Sequence, residues 1–330
     1  MGKPFKSSGQ TTARVVCIVY LTMTVKKLFI FNLLIFIYPH VQAQTNHRYK
    51  DLVFPDVSID NDISYNAAAN EKEKKAYLFD LYQPKDDKEL QRPLIIWMHG
   101  GGFKYSSKAA KNVQLWCKTF AQRGYVCAAV NYRLSKKNPV FNFDEFLKAS
   151  YYAVHDLKTA VEYFRANAAL YRIDPDKIIL AGNSAGGIIA LQAAYSSDEE
   201  LAKLSNIQPD SIGLTKYSKP LKVAAVLNFW GAIYNPDWLL NARVPIVNVL
   251  GSNDGIVPPT HKSAPMFGGK DIHQKADELG IPNALNVFEG YSHELQKHFN
   301  PFFSGGKDTQ QRWLEAGQFA ADFLFKTIIK

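Results

Sequence analysis

The sequence predicts an α/β fold: a mostly parallel central sheet with helices on both faces and a small lid or none. Three observations predict it. Short, continuous apolar runs such as Pro93–Met98 and Tyr125–Tyr132 recur along the chain, as expected of strands buried on both faces. Segments with helical apolar spacing alternate with them, which requires crossover connections and therefore parallel strands. Residues 44–330 are long enough for one large domain and show no repeat or low-complexity tract.

The elements follow in order. The polar stretch Gln44–Lys75 carries Asn/Asp clusters that suggest turns and short strands. Ala76–Tyr82 alternates like a strand, and Pro93–Met98 runs into glycines as a buried parallel strand does. Ala109–Arg123 is expected as a helix and Tyr125–Tyr132 as a strand. Over Asp144–Asn167, residues Phe146, Ala149, Ala153, Leu157, Ala160 and Phe164 fall at helical spacing. Lys177–Ala181 is a strand, and Ala185–Tyr195 begins a helix of small residues. Val223–Phe229, Val244–Leu250 and Asn283–Phe288 are further strands; His273–Leu279 and Gln311–Thr327 are helices. Residues 196–221 form a polar insertion, and Gly231–Arg243 is too short for a large helical lid. The expected site is therefore open, its mouth shaped by 44–75, 196–221 and 255–272.

Residues 1–43 have the pattern of a leader. Met23-Thr24-Val25-Lys26-Lys27 is a short basic start, Leu28–Tyr38 an apolar run broken by Asn32, and Val41-Gln42-Ala43 a small-residue cleavage site. The expectation is a signal peptide cut after Ala43, translation starting at Met23, and a protein secreted or periplasmic, with no stable membrane span after cleavage. The alternative is an uncleaved anchor. The net charge of +9 includes five Lys/Arg and no acid within 1–43, leaving an excess of only +4. With no basic run interleaved with aromatics, this argues against nucleic acid as a partner. Of three cysteines, Cys117 and Cys127 lie beyond the leader and are expected as buried thiols, a disulfide being the alternative. No Cys/His cluster has zinc spacing.

Serine-based hydrolysis needs an exposed hydroxyl, a base beside it, an acid to hold the base, and donors for the oxyanion. Ile178-Ile179-Leu180-Ala181 followed by Gly182-Asn183-Ser184-Ala185-Gly186-Gly187 is strand, sharp turn, helix. That setting lifts the Ser184 hydroxyl above the sheet end at a helix N-terminus, making it the expected nucleophile. His99-Gly100-Gly101-Gly102-Phe103 directly follows a strand. Its glycines let amides turn toward a substrate oxygen, so Gly101, Gly102 and Ala185 are the expected oxyanion hole, each donor worth about 3 kcal/mol of barrier. No Lys-Ser/Thr follows at the spacing of a phosphate loop. Asp254, just past the strand that closes in Leu250-Gly251, is the expected acid. His293, in Gly290-Tyr291-Ser292-His293-Glu294 after the last strand, is the expected base. His261 and His273 precede that strand, and His298 is expected at the surface. The order Ser184, Asp254, His293 suits this chemistry, which needs no metal and no organic cofactor.

Together His99–Phe103, Asn131-Tyr132-Arg133-Leu134 and Gly182–Gly187 resemble the carboxylesterase/lipase superfamily of α/β-hydrolases. They most resemble its hormone-sensitive-lipase-like and carbohydrate-esterase-like branches, over roughly residues 76–327. The resemblance implies the α/β-hydrolase fold, the triad above, and a His99 that braces the glycine loop instead of acting as a base. Asn183 stands where hormone-sensitive-lipase-like members usually have Asp, and the N-terminal cap is short for that branch. The function implied is hydrolysis of short-chain or carbohydrate-linked carboxylic esters, with a small-molecule or polymer-borne ester as partner. Phe103, Trp230, Tyr234 and Tyr291 are candidates for the substrate pocket. Amide cleavage of arylformamidase or peptidase type on the same triad is a second reading. A non-catalytic binding protein is a third, disfavoured because serine and histidine are both present.

Overall fold

Among the described residues, eight strands pair in a single sheet. In the computed structural model, which describes residues 1–2, 47–208, 219–262, 265–301 and 305–329, the fold is that of the unit Asn46–Lys330. The leader expected over residues 1–43 falls outside the described residues, save Met1 and Gly2. The strands are β1 (Val57–Ser64), β2 (Leu78–Pro84), β3 (Arg92–Met98), β4 (Val126–Val130), β5 (Ile173–Asn183), β6 (Ala225–Phe229), β7 (Ile246–Gly251) and β8 (Asn283–Phe288). They lie in the order β1-β2-β4-β3-β5-β6-β7-β8. Only β2 runs against its neighbours; from β4 to β8 every pairing is parallel.

The two faces of the sheet divide the core by the two-residue period of the strands. Leu94, Ile96 and Met98 of β3 pack on one side with Val126, Ala128, Ile178 and Leu180. That side is covered by helices α2 (Phe143–Ala166) and α3 (Ala185–Tyr195), with α4 (Asp198–Ser205) and α5 (Gly269–Glu278) beyond. Ile95 and Trp97 face the other way, with Cys127, Ala129, Ile179 and Ala181, under helices α1 (Lys111–Gln122) and α6 (Lys307–Leu324). Tryptophans dominate this second core: Trp97 stacks on Trp116 of α1 at 4.7 Å, and Trp116 touches Trp230 and Trp313 at 5.7 and 6.0 Å. Cys117 and Cys127 lie here as buried free thiols, their sulfurs 2.8 Å apart.

Most expected elements are present with shifted ends. Ala76 and Tyr77 belong to a 3-10 turn, Lys74–Tyr77, and the strand starts at Leu78. The strand containing Ile178 reaches back to Ile173, but its pairing with β3 jumps from Arg92↔Ile173 to Leu94↔Ile178. The intervening Asp174-Pro175-Asp176 is thus looped out, with the Asp176 amide donating to Asp174 Oδ1 at 3.0 Å. Helix α5 begins four residues before His273 because Asp271 caps it, its Oδ2 accepting from the Gly268 amide at 3.0 Å. After α6 the chain continues as a π-turn, Phe325–Ile329.

One expectation about the mouth of the site is overturned. The described parts of the insertion 196–221, residues 196–208 and 219–221, lie at the amino ends of the strands. Helix α3 starts at the site and, at about 1.5 Å per residue, carries the chain some 16 Å away from it. Residues 197–207 and 219–223 therefore gather at the far end, where Ser197, Glu200, Leu221 and Lys222 line a cleft with Arg243 and Pro245 at the start of β7. Residues 209–218 are outside the described set. The start of 44–75 is at that end too, since Tyr49, Val53 and Phe54 bond to Gln122 and Arg123 at the end of α1. The carboxyl ends of the strands are bordered by 65–77, 255–262 and 265–268. Between β6 and β7, residues 230–245 make the bridge Ile233 to Phe267 and the 3-10 turn Pro236–Leu240.

Candidate active site

His99, Ser184, Trp230, Asp254 and His293 follow β3, β5, β6, β7 and β8 respectively, so all five sit at the carboxyl edge of the sheet, where open α/β sheets place ligands. Ser184 occupies the turn between β5 and α3 with φ 55° and ψ −121°. A left-handed φ is strained for a side-chain-bearing residue, and the surroundings must hold it. They do so by leaving no room. A Cβ on Gly182 would meet the Gly186 carbonyl carbon at 2.2 Å, and one on Gly186 would meet the Met98 oxygen at 2.1 Å. The Ser184 amide donates to the Phe229 oxygen at 2.9 Å, and the Ser184 oxygen accepts from Ile188 at 3.0 Å. The hydroxyl is thus fixed at the first turn of a helix.

His293 Nε2 is 2.9 Å from Ser184 Oγ, and Nδ1 is 2.7 Å from Asp254 Oδ2. A carboxylate only accepts, so Nδ1 carries the proton and Nε2 is left to accept from the serine. Asp254 is anchored by its other oxygen, Oδ1, which accepts from the Ile256 and Val257 amides at 2.9 Å each. Asp254 is 3% exposed, His293 2% and Ser184 9%, which leaves the nucleophile the most accessible of the three. His293 stands edge-on to Phe299 at 5.0 Å and to Trp230 at 6.5 Å. The neighbouring Glu294 carboxyl is pushed up by burial, opposed by the attraction of His293. His261 stacks on Phe267, and His273 pairs with Asn283 and Asp277, outside the triad.

Gly101 and Gly102 have φ of 104° and 59°, and a Cβ on Gly101 would meet the Tyr105 oxygen at 2.1 Å. The loop passes beside the nucleophile, since a Cβ on Gly100 would lie 3.2 Å from Ser184 Cβ. Gly101 gives its carbonyl to the Lys104 and Tyr105 amides at 3.1 and 3.0 Å. Among the described residues, the Gly101 and Gly102 amides donate to no other backbone oxygen. Ala185 opens α3, where an amide has no intrahelical acceptor.

His99 is buried beneath this loop. Its Nδ1 lies 2.7 Å from the Gly100 oxygen and its ring stacks on Tyr132 at 4.3 Å. The Tyr132 hydroxyl donates to the His99 oxygen at 2.8 Å. Burial pushes the imidazole down to about 4 from the ordinary 6.5, against the Gly100 bond. The neutral ring braces the loop and is 1% exposed. Because the folded value lies below the unfolded one, His99 contributes fully to stability above pH 6.5 and its contribution is lost as pH falls toward 4, about 3 kcal/mol in all. Urea midpoints are expected to fall over that window, and His99→Gln to flatten the fall. His155, likewise depressed to about 4 chiefly by burial, keeps part of the slope in the variant. An unchanged slope in His99→Gln would exclude His99 as the titrating group.

Three of the four pocket candidates are core residues. Phe103 is fully buried, edge-on to Phe146 at 4.8 Å. Trp230 packs on Trp116 and supports His293 from behind. Tyr234 is 2% exposed, its amide donating to Gln192 Oε1. Tyr291 alone is half-buried, its ring under the Arg312 guanidinium at 4.1 Å.

Sequence reasoning missed several supports. Asn228 Oδ1 accepts from the Gly231 amide at 3.0 Å, and its Nδ2 donates to Asn248 Oδ1 at 2.9 Å. This buried pair ties β6 to β7 behind Gly187, and its signal was a polar residue inside each apolar run. Asn183 Oδ1 accepts from Trp97 Nε1 at 3.4 Å, directing this departure from the resembling family into the sheet. The His293 turn hangs from α6: Trp313 Nε1 donates to the Glu294 oxygen and Arg312 Nε to the Leu295 oxygen, both at 2.8 Å.

Residues 79–253 match the BD-FAE family. Among curated proteins, the chain is 25% identical over 231 residues to para-nitrobenzyl esterase of Bacillus subtilis (strain 168), covering 69% of this chain and 42% of that protein. It is 28% identical over 142 residues to esterase LipC of Mycobacterium tuberculosis, covering 42% of this chain and 32% of that protein. Gut esterase 1 of Caenorhabditis elegans is 27% identical over 116 residues, 35% of this chain and 20% of that protein. The chain thus spans between a fifth and less than half of the length of these relatives. A solved thermophilic esterase of Thermogutta terrifontis with propionate bound shares the fold, with a TM-score of 0.55 and 23% identity over 82% of this chain and 94% of that one.

Proposed function

From the premise that the chain belongs to the BD-FAE family, of α/β-hydrolase fold, we propose that it is an exported serine carboxylesterase acting on short-chain or carbohydrate-linked esters. The observation that carries this reading is the relay Ser184 Oγ–His293 Nε2–Asp254, at 2.9 and 2.7 Å. His293 Nε2 takes the serine proton as Oγ attacks the ester carbonyl, and Asp254 stabilises the imidazolium that forms. The carbonyl oxygen, now anionic, accepts from the amides of Gly101, Gly102 and Ala185. Collapse expels the alcohol, which receives the proton from His293. Water then gives a proton to His293 and attacks the acyl-enzyme, releasing the acid and restoring Ser184.

What surrounds the serine supports this substrate class. The connection between β6 and β7, residues 230–245, has as its regular structure the 3-10 turn Pro236–Leu240 and the bridge Ile233 to Phe267, so no long helix stands there to close over a long acyl chain, which suits a bulky polymeric alcohol. The leader expected over residues 1–43 suits a substrate outside the cytoplasm. Rate measured against acyl length with nitrophenyl esters, beside acetylated polysaccharide, tests the assignment. Acetyl to butyryl esters are expected to be fastest, with release of acetate from polysaccharide. Preference for long-chain triglyceride would overturn it.

A further inference from the structure

We propose that Phe141, on the strap between β4 and α2, is a stacking platform for a sugar ring carried by the alcohol part of the ester. The proposal rests on the carbohydrate-ester reading and deepens it. Four large apolar side chains stand exposed on two neighbouring segments: Tyr105 at 60%, Leu134 at 36%, Val140 at 51% and Phe141 at 87%. Scattered exposed apolar residues need no explanation, but a group beside a catalytic loop does.

The strap is tied to the oxyanion loop. Lys104 Nζ donates to the Ser135 and Lys136 oxygens at 3.1 and 3.0 Å, and the Ser135 amide donates to the Phe103 oxygen at 2.8 Å. Ser135 Oγ donates to Glu145 Oε1 at 2.6 Å, and Asn142 caps α2 by accepting from the Glu145 amide. The 3-10 turn Pro139–Phe141 between these anchors brings a Val140 methyl to 3.1 Å from where a Cβ on Gly102 would be. Phe141 is therefore held one residue beyond a direct contact with an oxyanion glycine. The backbone that carries Phe141 is held by these anchors before any ligand arrives, so little order must be imposed on the strap on binding.

The chemistry of the occupant follows from exposure. An alkyl chain gains most in an enclosed slot, which Phe141 does not provide. A sugar ring keeps its hydroxyls in water and offers a flat face of C–H groups, which suits an open aromatic surface. The alcohol side of a polymer-borne ester also remains outside the cleft after the acyl group is transferred.

Steady-state kinetics of Phe141→Tyr, Phe141→Leu and Phe141→Ala on an acetylated xylo-oligosaccharide and on ethyl acetate test the proposal. Phe141→Tyr is expected to match the parent on both. Leu keeps the apolarity without the flat face, so Leu and Ala are expected to raise KM for the sugar ester about fivefold to tenfold, leaving kcat and all ethyl acetate values unchanged. Full sugar-ester activity in Phe141→Leu, or equal losses on both substrates, would overturn the platform. Turnover of ethyl acetate but not of the sugar ester by the parent enzyme would instead overturn the carbohydrate reading, and the platform with it.

Discussion

Ser184→Ala is expected to lower kcat about 10⁶-fold while leaving KM nearly unchanged, because triad members act as a unit and the remaining groups only bind and polarise the ester. The substitution removes Oγ alone. Alanine keeps a Cβ at the same left-handed φ of 55°, so the turn is no more strained than before and the fold is expected to stand. The residual rate comes from the oxyanion amides and from binding, which the variant retains. A fluorophosphonate probe is expected to add its mass to the parent protein at Ser184 and not to the variant. Labelling of another residue, or activity within tenfold of the parent, would remove Ser184 from the mechanism.

The second large effect is expected from Asp254→Asn, a loss in kcat of about 10⁴-fold through the tautomer of His293. Oδ1 of Asp254 is held by two amides, those of Ile256 and Val257. An asparagine there must keep its carbonyl oxygen on those amides and turn its NH2 toward His293 Nδ1. Nδ1 then has to accept, the imidazole proton moves to Nε2, and the base facing Ser184 is gone. KM is expected to hold, since no substrate contact changes. Glu294 offers the contrast: its carboxyl lies close to the same imidazole, but its side chain bonds Gln296 at 3.3 Å, so Glu294→Gln is expected to leave kcat within a few-fold. If the two variants exchanged these outcomes, Glu294 would be the acid.

The central strands were legible because burial on both faces demands largely apolar runs, and few other structures produce five such runs ending in glycine or polar turns; β8, half-buried along its length, carries a weaker pattern. Ser184 and the glycine loop were legible because a hydroxyl in a left-handed turn needs small neighbours, which the sequence displays. Asp254 and His293 were legible by position: only loops at the carboxyl edge can reach the serine, and each follows the right strand. The pocket was not legible. Phe103, Trp230 and Tyr234 sit in loops at that edge, yet aromatic side chains fill a core and line a cleft with the same chemistry, and only packing distinguishes them. The exposed strap around Phe141 was missed for the opposite reason, since a single apolar residue in a polar loop is commonplace. The placement of 196–208 and 219–221 failed on direction: a helix that begins at the site delivers its successor to the far end of the sheet.

The suspension of the His293 turn from Trp313 and Arg312 has a consequence for the order in which the protein becomes competent. On the ribosome, nucleophile, acid and oxyanion amides are all made before the base, and the base is made before the helix that seats it. A nascent chain that has folded its sheet through β8 still lacks the two bonds that hold the Glu294 and Leu295 carbonyls. The seating of the base therefore depends on α6 being docked against the tryptophan core. A polypeptide still emerging from the ribosome would have its nucleophile in place but its base unseated, and so would not yet turn over esters.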